Sequence, residues 1–128
     1  EKPGYFIQAD IAYKDVIASD YAAMLIPGGR GPEEMRQIGD VLKIVRHFLE
    51  KELPLGVMCH GPQVLWAAGS VAGRTMTCYE AIRPDLELAG AKFVDQAVVV
   101  DRALVSSRGW PDLPEFMPAF LDVLAKRG

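Results

Sequence analysis

The stretch Leu55-Gly56-Val57-Met58-Cys59-His60-Gly61-Pro62 carries the clearest structural signal in the chain. An apolar segment leads without a spacer into a glycine and a proline, and residues 63–68 then have the composition of a helix. This order predicts a buried strand that turns directly into a helix, with Cys59 at the corner. In an open α/β sheet such a corner lies at the carboxyl edge of the strands, where these folds place their ligands.

The same order of elements recurs on both sides of this corner. Residues 21–26 form a continuous apolar run that ends at Pro27-Gly28-Gly29, and residues 33–53 have apolar side chains at helical spacing. Buried strands that alternate with helices predict an α/β fold with a mainly parallel sheet. The other predicted elements are strands over 74–78, 91–94, 97–100 and 103–107, helices over 81–88 and 113–126, a short strand or extended arm over 5–13, and a hairpin turn at Asp101-Arg102.

The composition narrows the classes of function. The chain has 128 residues, of which 50% are hydrophobic and 24% are charged, and we expect a single domain over residues 1–128. A net charge of −3 argues against a dedicated nucleic-acid binder and gives no reason to expect a membrane surface as partner. We find no signal peptide and no apolar run long enough to span a bilayer. Two cysteines are best interpreted as free thiols of a cytoplasmic protein.

Cys59 is the candidate nucleophile. A thiol at a helix N-terminus lies at the positive end of the helix dipole, which favours the thiolate, and His60 is a candidate base. Gly61 lets the strand and the helix pack closely at the corner. Cys78, in contrast, is expected to be a buried hydrophobic residue.

The turn Pro27-Gly28-Gly29-Arg30-Gly31-Pro32 is expected to face the same cleft. The backbone N–H groups of Gly28, Gly29 and His60 are candidates for an oxyanion hole, the alternative being that the two glycines only shape a tight turn. We expect no metal, since Cys59, His60, His47 and Cys78 lack zinc-ligand spacing, and no cofactor, since no nucleotide fingerprint is present. Arg108 is interpreted as a surface charge, and Trp66 and Trp110 as packing residues.

Several ordered motifs together resemble one known family. Residues 22–33 resemble the first signature of the ThiJ/PfpI family of the class I glutamine amidotransferase-like superfamily, and residues 56–63 resemble its cysteine elbow. The branch that the chain resembles most is the intracellular cysteine protease/amidase type. Later family positions follow in order at Gly73-Arg74, Thr77-Cys78-Tyr79, Ala89-Gly90-Ala91, Val98-Val99-Val100-Asp101 and Ser106-Ser107-Arg108.

The resemblance implies a flavodoxin-like three-layer sandwich with a catalytic triad. Cys59 would attack a carbonyl, His60 would move protons, and Glu33 of a neighbouring subunit would orient His60. The active form would therefore be a homo-oligomer, a dimer or a hexamer, and Tyr79 would line the pocket. The family normally begins with a further strand–helix–strand unit, so the resemblance predicts a sheet without that unit and with an uncovered edge.

Three functions remain open at this point. The first is a cysteine-dependent hydrolase of peptide or amide bonds. The second is a glyoxalase or protein deglycase, in which the same thiolate adds to a small carbonyl substrate. The third is a non-enzymatic redox-sensing stress-response or chaperone protein, because an accessible thiolate oxidises readily. A glutaminase triad needs a histidine beyond the elbow, and none follows His60.

Overall fold

The computed structural model describes residues 4–69 and 71–127, which contain six strands and five α-helices. Short 3₁₀ turns occur between some of these elements. In chain order the elements are β1 (Met24–Ile26), α1 (Gly31–Met35), α2 (Gly39–Glu50), β2 (Leu55–Met58), α3 (Pro62–Ala68), β3 (Thr75–Met76), α4 (Arg83–Leu88), β4 (Lys92–Phe93), β5 (Val98–Asp101), β6 (Leu104–Ser107) and α5 (Leu113–Arg127).

The main sheet has the strand order β1-β2-β6-β5. Its first three strands are parallel, with Ile26 beside Val57 and Val57 beside Ser106. Strand β5 is antiparallel to β6, and the two form the predicted hairpin, in which Arg102 adopts the left-handed conformation (φ 56°). Strands β3 and β4 form a separate parallel pair. The α/β fold with a mainly parallel sheet is thus confirmed.

Helices cover both faces of the main sheet, because alternate strand residues point to opposite sides. On one face Leu55 and Val57 of β2 are fully buried in a cluster that includes side chains from α2 and α3. On the other face Met58 packs with Val105 of β6 and with Phe116 of α5. The layers are therefore helix, sheet and helix, consistent with a flavodoxin-like sandwich.

One helix was predicted over residues 33–53, and this prediction is wrong. The chain forms α1 and α2, separated by a break in which Ile38 is extended (φ −98°, ψ 111°). Glycine follows at position 39, and its backbone entropy makes it a poor residue to carry a helix forward. Helix α2 then buries Val41, Val45 and Phe48. Their helical spacing continues the pattern of the residues before the break, which is why the sequence predicted one helix.

Residues 5–13 were predicted to form a short strand or an extended arm, and they form no strand. Tyr5, Phe6 and Ile7 are more than 90% exposed, and the described part of the chain offers them no pairing strand. A segment with strand composition stays irregular when its backbone groups find no neighbouring strand. Strand β1 lies at the edge of the sheet, and Leu25 on it is exposed.

Among residues 4–69 and 71–127 no helix combines the length and the apolar character that crossing a membrane would require.

Candidate active site

Cys59 lies at the corner between β2 and α3 in a strained conformation. Its φ is 59°, in the left-handed region, which costs a non-glycine residue about 1–2 kcal/mol. Two backbone hydrogen bonds hold it there. The Cys59 N–H donates to the Ser107 carbonyl (3.1 Å), and the Tyr79 N–H donates to the Cys59 carbonyl (3.0 Å). The neighbouring chain segments thereby fix the direction of the Cys59 side chain.

Gly61 is required by close packing at the corner. A Cβ atom at this position would lie 2.8 Å from the Ile26 carbonyl oxygen and 2.9 Å from that of Met58. Both are backbone atoms of strands, so neither can move away easily. The Gly61 N–H also donates to the Met58 carbonyl at 2.7 Å, which closes the turn. The sequence-based role of Gly61 is confirmed.

Gly28 brings the second glycine turn directly against the cysteine. A Cβ atom at Gly28 would lie 2.6 Å from Cys59 Cβ and 3.2 Å from Cys59 Sγ. Gly29 adopts a positive φ of 74° and lines the cleft beside Cys59. The two turns therefore meet at one site, as expected, and the proposed oxyanion hole of Gly28, Gly29 and His60 stays a prediction.

The side chains of Cys59 and His60 face each other. Cys59 Sγ lies 3.2 Å from His60 Nδ1, and both residues are half-buried. The ring of Tyr79 packs against the imidazole with a centroid separation of 5.0 Å. Because sulfur and nitrogen are within hydrogen-bond reach, a proton can pass between the thiol and the imidazole. This geometry is the one that a nucleophilic thiol and its base would need.

Glu33 does not complete this pair within one chain. Its side chain is partly exposed on α1, and its carboxylate accepts a hydrogen bond from Arg30 Nη2 at 3.2 Å. In the described part of the chain it makes no hydrogen bond to His60. The proposed role of Glu33 in a neighbouring subunit stays a prediction.

Cys59, His60 and Tyr79 open into a cleft of about 800 Å³. Cys78 also lines this cleft, but its side chain is fully buried, and burial raises its pKa to about 12. Cys78 therefore stays a protonated thiol near neutral pH, and the expectation of a buried hydrophobic residue is confirmed.

Another part of the cleft wall is formed by three residues that follow β6, namely Arg108, Trp110 and Asp112. Arg108 donates from Nε and Nη2 to the two carboxylate oxygens of Asp112 (both 2.9 Å) and from Nη1 to Asp95 (3.0 Å). These bonds lower the pKa of Asp112 and raise that of Arg108. Trp110, between them, is 78% exposed and lines the cleft.

The interpretation of Trp110 as a packing residue is therefore wrong, whereas Arg108 is a partly exposed charge, as expected, that also lines the cleft. The available signal was positional, since both follow directly after β6, whose carboxyl end borders the elbow. Trp66, in contrast, packs against the core as predicted.

The described residues, 4–69 and 71–127, contain no group of three or more His, Cys, Asp or Glu side chains arranged to hold a metal ion.

A cysteine at a strand-to-helix corner, with histidine beside it and a glycine turn against it, defines an α/β protein with a cysteine elbow. Comparison with known proteins identifies the family. The DJ-1/PfpI family model matches residues 1–123, and the chain belongs to this family.

Two relatives and one solved structure illustrate the similarity. Deglycase PfpI of Pyrococcus furiosus is 38% identical, over 96% of this chain and 74% of its own length. A Bacillus subtilis protein named "Putative cysteine protease YraA" is 40% identical, over 96% of this chain and 73% of its own length. The crystal structure of a two-domain protein from Anabaena variabilis, with DJ-1/ThiJ/PfpI-like and ferritin-like domains, has a TM-score of 0.90 and 38% identity, over 93% of this chain and 34% of that chain.

Proposed function

We propose that this protein is a cysteine-dependent hydrolase that acts on reactive carbonyl compounds and their amine adducts, the activity of a deglycase. The observation that carries the proposal is the 3.2 Å approach of Cys59 Sγ to His60 Nδ1 at the base of an open cleft. The name of the Pyrococcus furiosus relative supports this substrate class.

The reaction begins with the Cys59 thiolate. Its sulfur adds to the aldehyde carbon of a 2-oxoaldehyde, and the oxyanion takes up a proton to give a hemithioacetal. From an amine adduct the same species forms when the carbon–sulfur bond replaces the carbon–nitrogen bond and the amine leaves with a proton from His60. The Gly28–Gly29 turn and the His60 N–H supply candidate donors to the oxygen.

A proton transfer and a hydrolysis then complete the cycle. His60 removes the proton from the carbon bonded to sulfur, and a proton returns to the neighbouring carbonyl carbon, which converts the hemithioacetal into a 2-hydroxyacyl thioester. Water attacks this thioester, releases the 2-hydroxy acid and restores the thiol. Water is the only co-reactant, and no net oxidation occurs.

Lactate formation from methylglyoxal tests the proposal. We expect the wild-type protein to form lactate, Cys59→Ala to lose this activity, and Cys78→Ala to retain most of it, since the Cys78 thiol is buried and protonated. The adduct of methylglyoxal with N-acetyllysine should release free amine with the same dependence on Cys59. Lactate formation that survives Cys59→Ala would overturn the proposal.

Hydrolysis of peptide or amide bonds is the second candidate function. The same thiolate would form an acyl thioester as the amine leaves, and the name of the Bacillus subtilis relative favours this chemistry. Turnover of fluorogenic peptides without lactate formation would select it. If neither reaction occurs and peroxide oxidises Cys59 selectively, the redox-sensing alternative is selected.

A homo-oligomer in which Glu33 orients His60 of a neighbouring subunit is part of this proposal. The carboxylate of Glu33 is partly exposed, and its hydrogen bond to Arg30 leaves acceptor positions for a second donor. Since His60 uses Nδ1 toward Cys59, its Nε2 is the atom that an approaching carboxylate would bind.

A further inference from the structure

Trp110 has the most exposed aromatic ring among the residues that line the cleft. It is 78% exposed, compared with 45% for Tyr79, which packs one face of its ring against His60. A large apolar ring gains free energy when it is covered, so an exposed tryptophan in the wall of the cleft that Cys59 also lines offers a surface that a ligand can cover. Trp110 and Tyr79 together provide apolar surface on the same cleft as Cys59.

Arg108 fixes the turn that carries Trp110. Its guanidinium binds Asp112 with two bonds, and the Asp112 carboxylate also accepts the Arg108 N–H at 3.2 Å. The third bond of the guanidinium reaches Asp95, which precedes β5. Trp110 thus lies between two residues of a bidentate ion pair, whose planar geometry restricts the turn.

The charges that line the cleft are largely neutralised by the protein itself. Each of the three guanidinium groups has a carboxylate partner within 3.2 Å: Arg30 with Glu33, Arg83 with Glu87, and Arg108 with Asp112. An anionic substrate would have to compete with these partners. The selectivity of the cleft is therefore expected to be apolar rather than ionic.

We propose that Trp110, with Tyr79, binds an uncharged aromatic or large apolar group next to the carbonyl that Cys59 attacks, and that Arg108 is the positioning residue for Trp110. The kinetic part of this proposal rests on the proposed function, whereas the binding part does not. The favoured substrates are accordingly 2-oxoaldehydes, or adducts, that carry an aryl or bulky alkyl substituent.

Phenylglyoxal and methylglyoxal form a matched pair of probes, because they differ only in this substituent. We expect Trp110→Ala to lower the ratio of kcat/KM for phenylglyoxal to that for methylglyoxal by about tenfold, mainly through KM. The control Leu88→Ala removes an exposed apolar side chain that does not line the cleft and should leave the ratio unchanged. An unchanged ratio in Trp110→Ala would overturn the proposal.

Arg108→Gln separates positioning from general stability. We expect the ratio of kcat/KM for phenylglyoxal to that for methylglyoxal to fall as it does in Trp110→Ala. The double variant Arg108→Gln/Trp110→Ala should show no further fall, since both changes remove the same contact. An equal loss of kcat/KM for both substrates would show that Arg108 has only a structural role, which would contradict the proposal. Should Arg108→Gln fail to fold, Asp95→Ala removes one bond of the clamp and keeps the pair with Asp112; an unchanged ratio there would also contradict the positioning role.

A binding measurement keeps this proposal distinct from the proposed function. Calorimetric titration of Cys59→Ala with N-acetylphenylalaninamide and N-acetylalaninamide should show about tenfold tighter binding of the former, and Cys59→Ala/Trp110→Ala should lose the preference. This result would support the pocket even if the wild-type protein turned over no glyoxal. Equal binding of the two amides, or a change of oligomeric state in Trp110→Ala by ultracentrifugation, would overturn it.

Discussion

Cys59 and Cys78 line the same cleft but differ in their access to reagents. Cys59 is half-buried at the corner of the elbow, whereas no part of Cys78 reaches solvent. Burial also raises the pKa of Cys78 to about 12, so that its nucleophilic thiolate is absent at neutral pH. The chain therefore contains one candidate reactive cysteine, Cys59, and a second cysteine, Cys78, that serves as an internal control.

Alkylation distinguishes the two thiols. At about pH 8 we expect iodoacetamide to add once to the folded protein, at Cys59, because only the thiolate reacts. Mass spectrometry should find the adduct in Cys78→Ser and none in folded Cys59→Ser, while the wild-type protein unfolded in urea should carry two. A second adduct on the folded wild-type protein would contradict the assigned burial of Cys78.

The free energy of unfolding is expected to depend on pH partly through the carboxyl group of Asp112. Arg108 lowers its pKa below the ordinary value of 3.8, so the folded state binds the proton less readily than the unfolded state. The stabilisation is therefore present above about pH 4 and is lost as the pH falls through the lowered pKa. Because Arg108 is partly exposed, solvent screening weakens this stabilisation.

Asp112→Asn tests this dependence by urea unfolding. The difference in unfolding free energy from the wild-type protein should be largest near neutral pH and should shrink as the pH is lowered toward about 3. The control Asp122→Asn removes an exposed partner of Lys126 and should change stability by less than about 0.5 kcal/mol. A difference that does not depend on pH would show that the Asp112 charge is not responsible.

The residues of the elbow could be predicted from the sequence because their chemistry is local. Cys59 and His60 are adjacent, Gly61 follows, and a strand-to-helix corner turns all of them to one edge of the sheet. The role of Arg108 could not be predicted in this way, since one of its partners, Asp95, belongs to a different turn. Only the pairing of β5 with β6 brings those turns together.

At the scale of elements, the strands were predicted better than the helix breaks. A continuous apolar run identified β2 because all four of its residues are buried between the helical layers, and a second such run identified β1, although Leu25 on it is exposed. The single helix predicted over 33–53 failed because apolar spacing continues through the break, while the backbone is extended at Ile38. Proline generally interrupts a helix, yet α5 runs from Leu113 to Arg127 with Pro118 inside it.

The junction of β2 and α3 is expected to tolerate no Cβ atom at Gly61. Gly61→Ala would place that atom within 2.9 Å of the Ile26 and Met58 carbonyl oxygens, and we expect a destabilisation of about 1–3 kcal/mol. Gly39→Ala is the matched control, because a Cβ there meets open space at the start of α2. It should be neutral or stabilise by up to about 1 kcal/mol.

Chemical unfolding of both variants decides whether packing or backbone entropy dominates at the corner. If Gly61→Ala were as stable as Gly39→Ala, the strands would have moved apart to admit the new atom. That movement would also shift Cys59, and the rate of alkylation would report it independently of stability.

At the scale of the whole molecule, one chain brings together the candidate nucleophile and the candidate base but not the candidate acid. Cys59 and His60 are in contact, and Glu33 lies on α1 with its carboxylate at the surface. The positions of Cys59, His60 and Glu33 in the sequence do not show whether the three side chains meet within one chain. Within the described residues of one chain the three side chains do not meet, which is why we propose that Glu33 of a second copy completes the triad.

Complementation between two inactive variants tests this arrangement. In a mixed oligomer of Cys59→Ala and Glu33→Gln subunits, a site formed by the Cys59 of one subunit and the Glu33 of the other is intact. With equal amounts and random pairing, about a quarter of the sites regain the full triad, and co-expression of the two variants should restore about that fraction of the lactate-forming activity. Each variant alone should show little activity. Activity in the mixture no higher than the average of the two separate variants would contradict a shared site, and Glu33→Gln would then act only through its own chain.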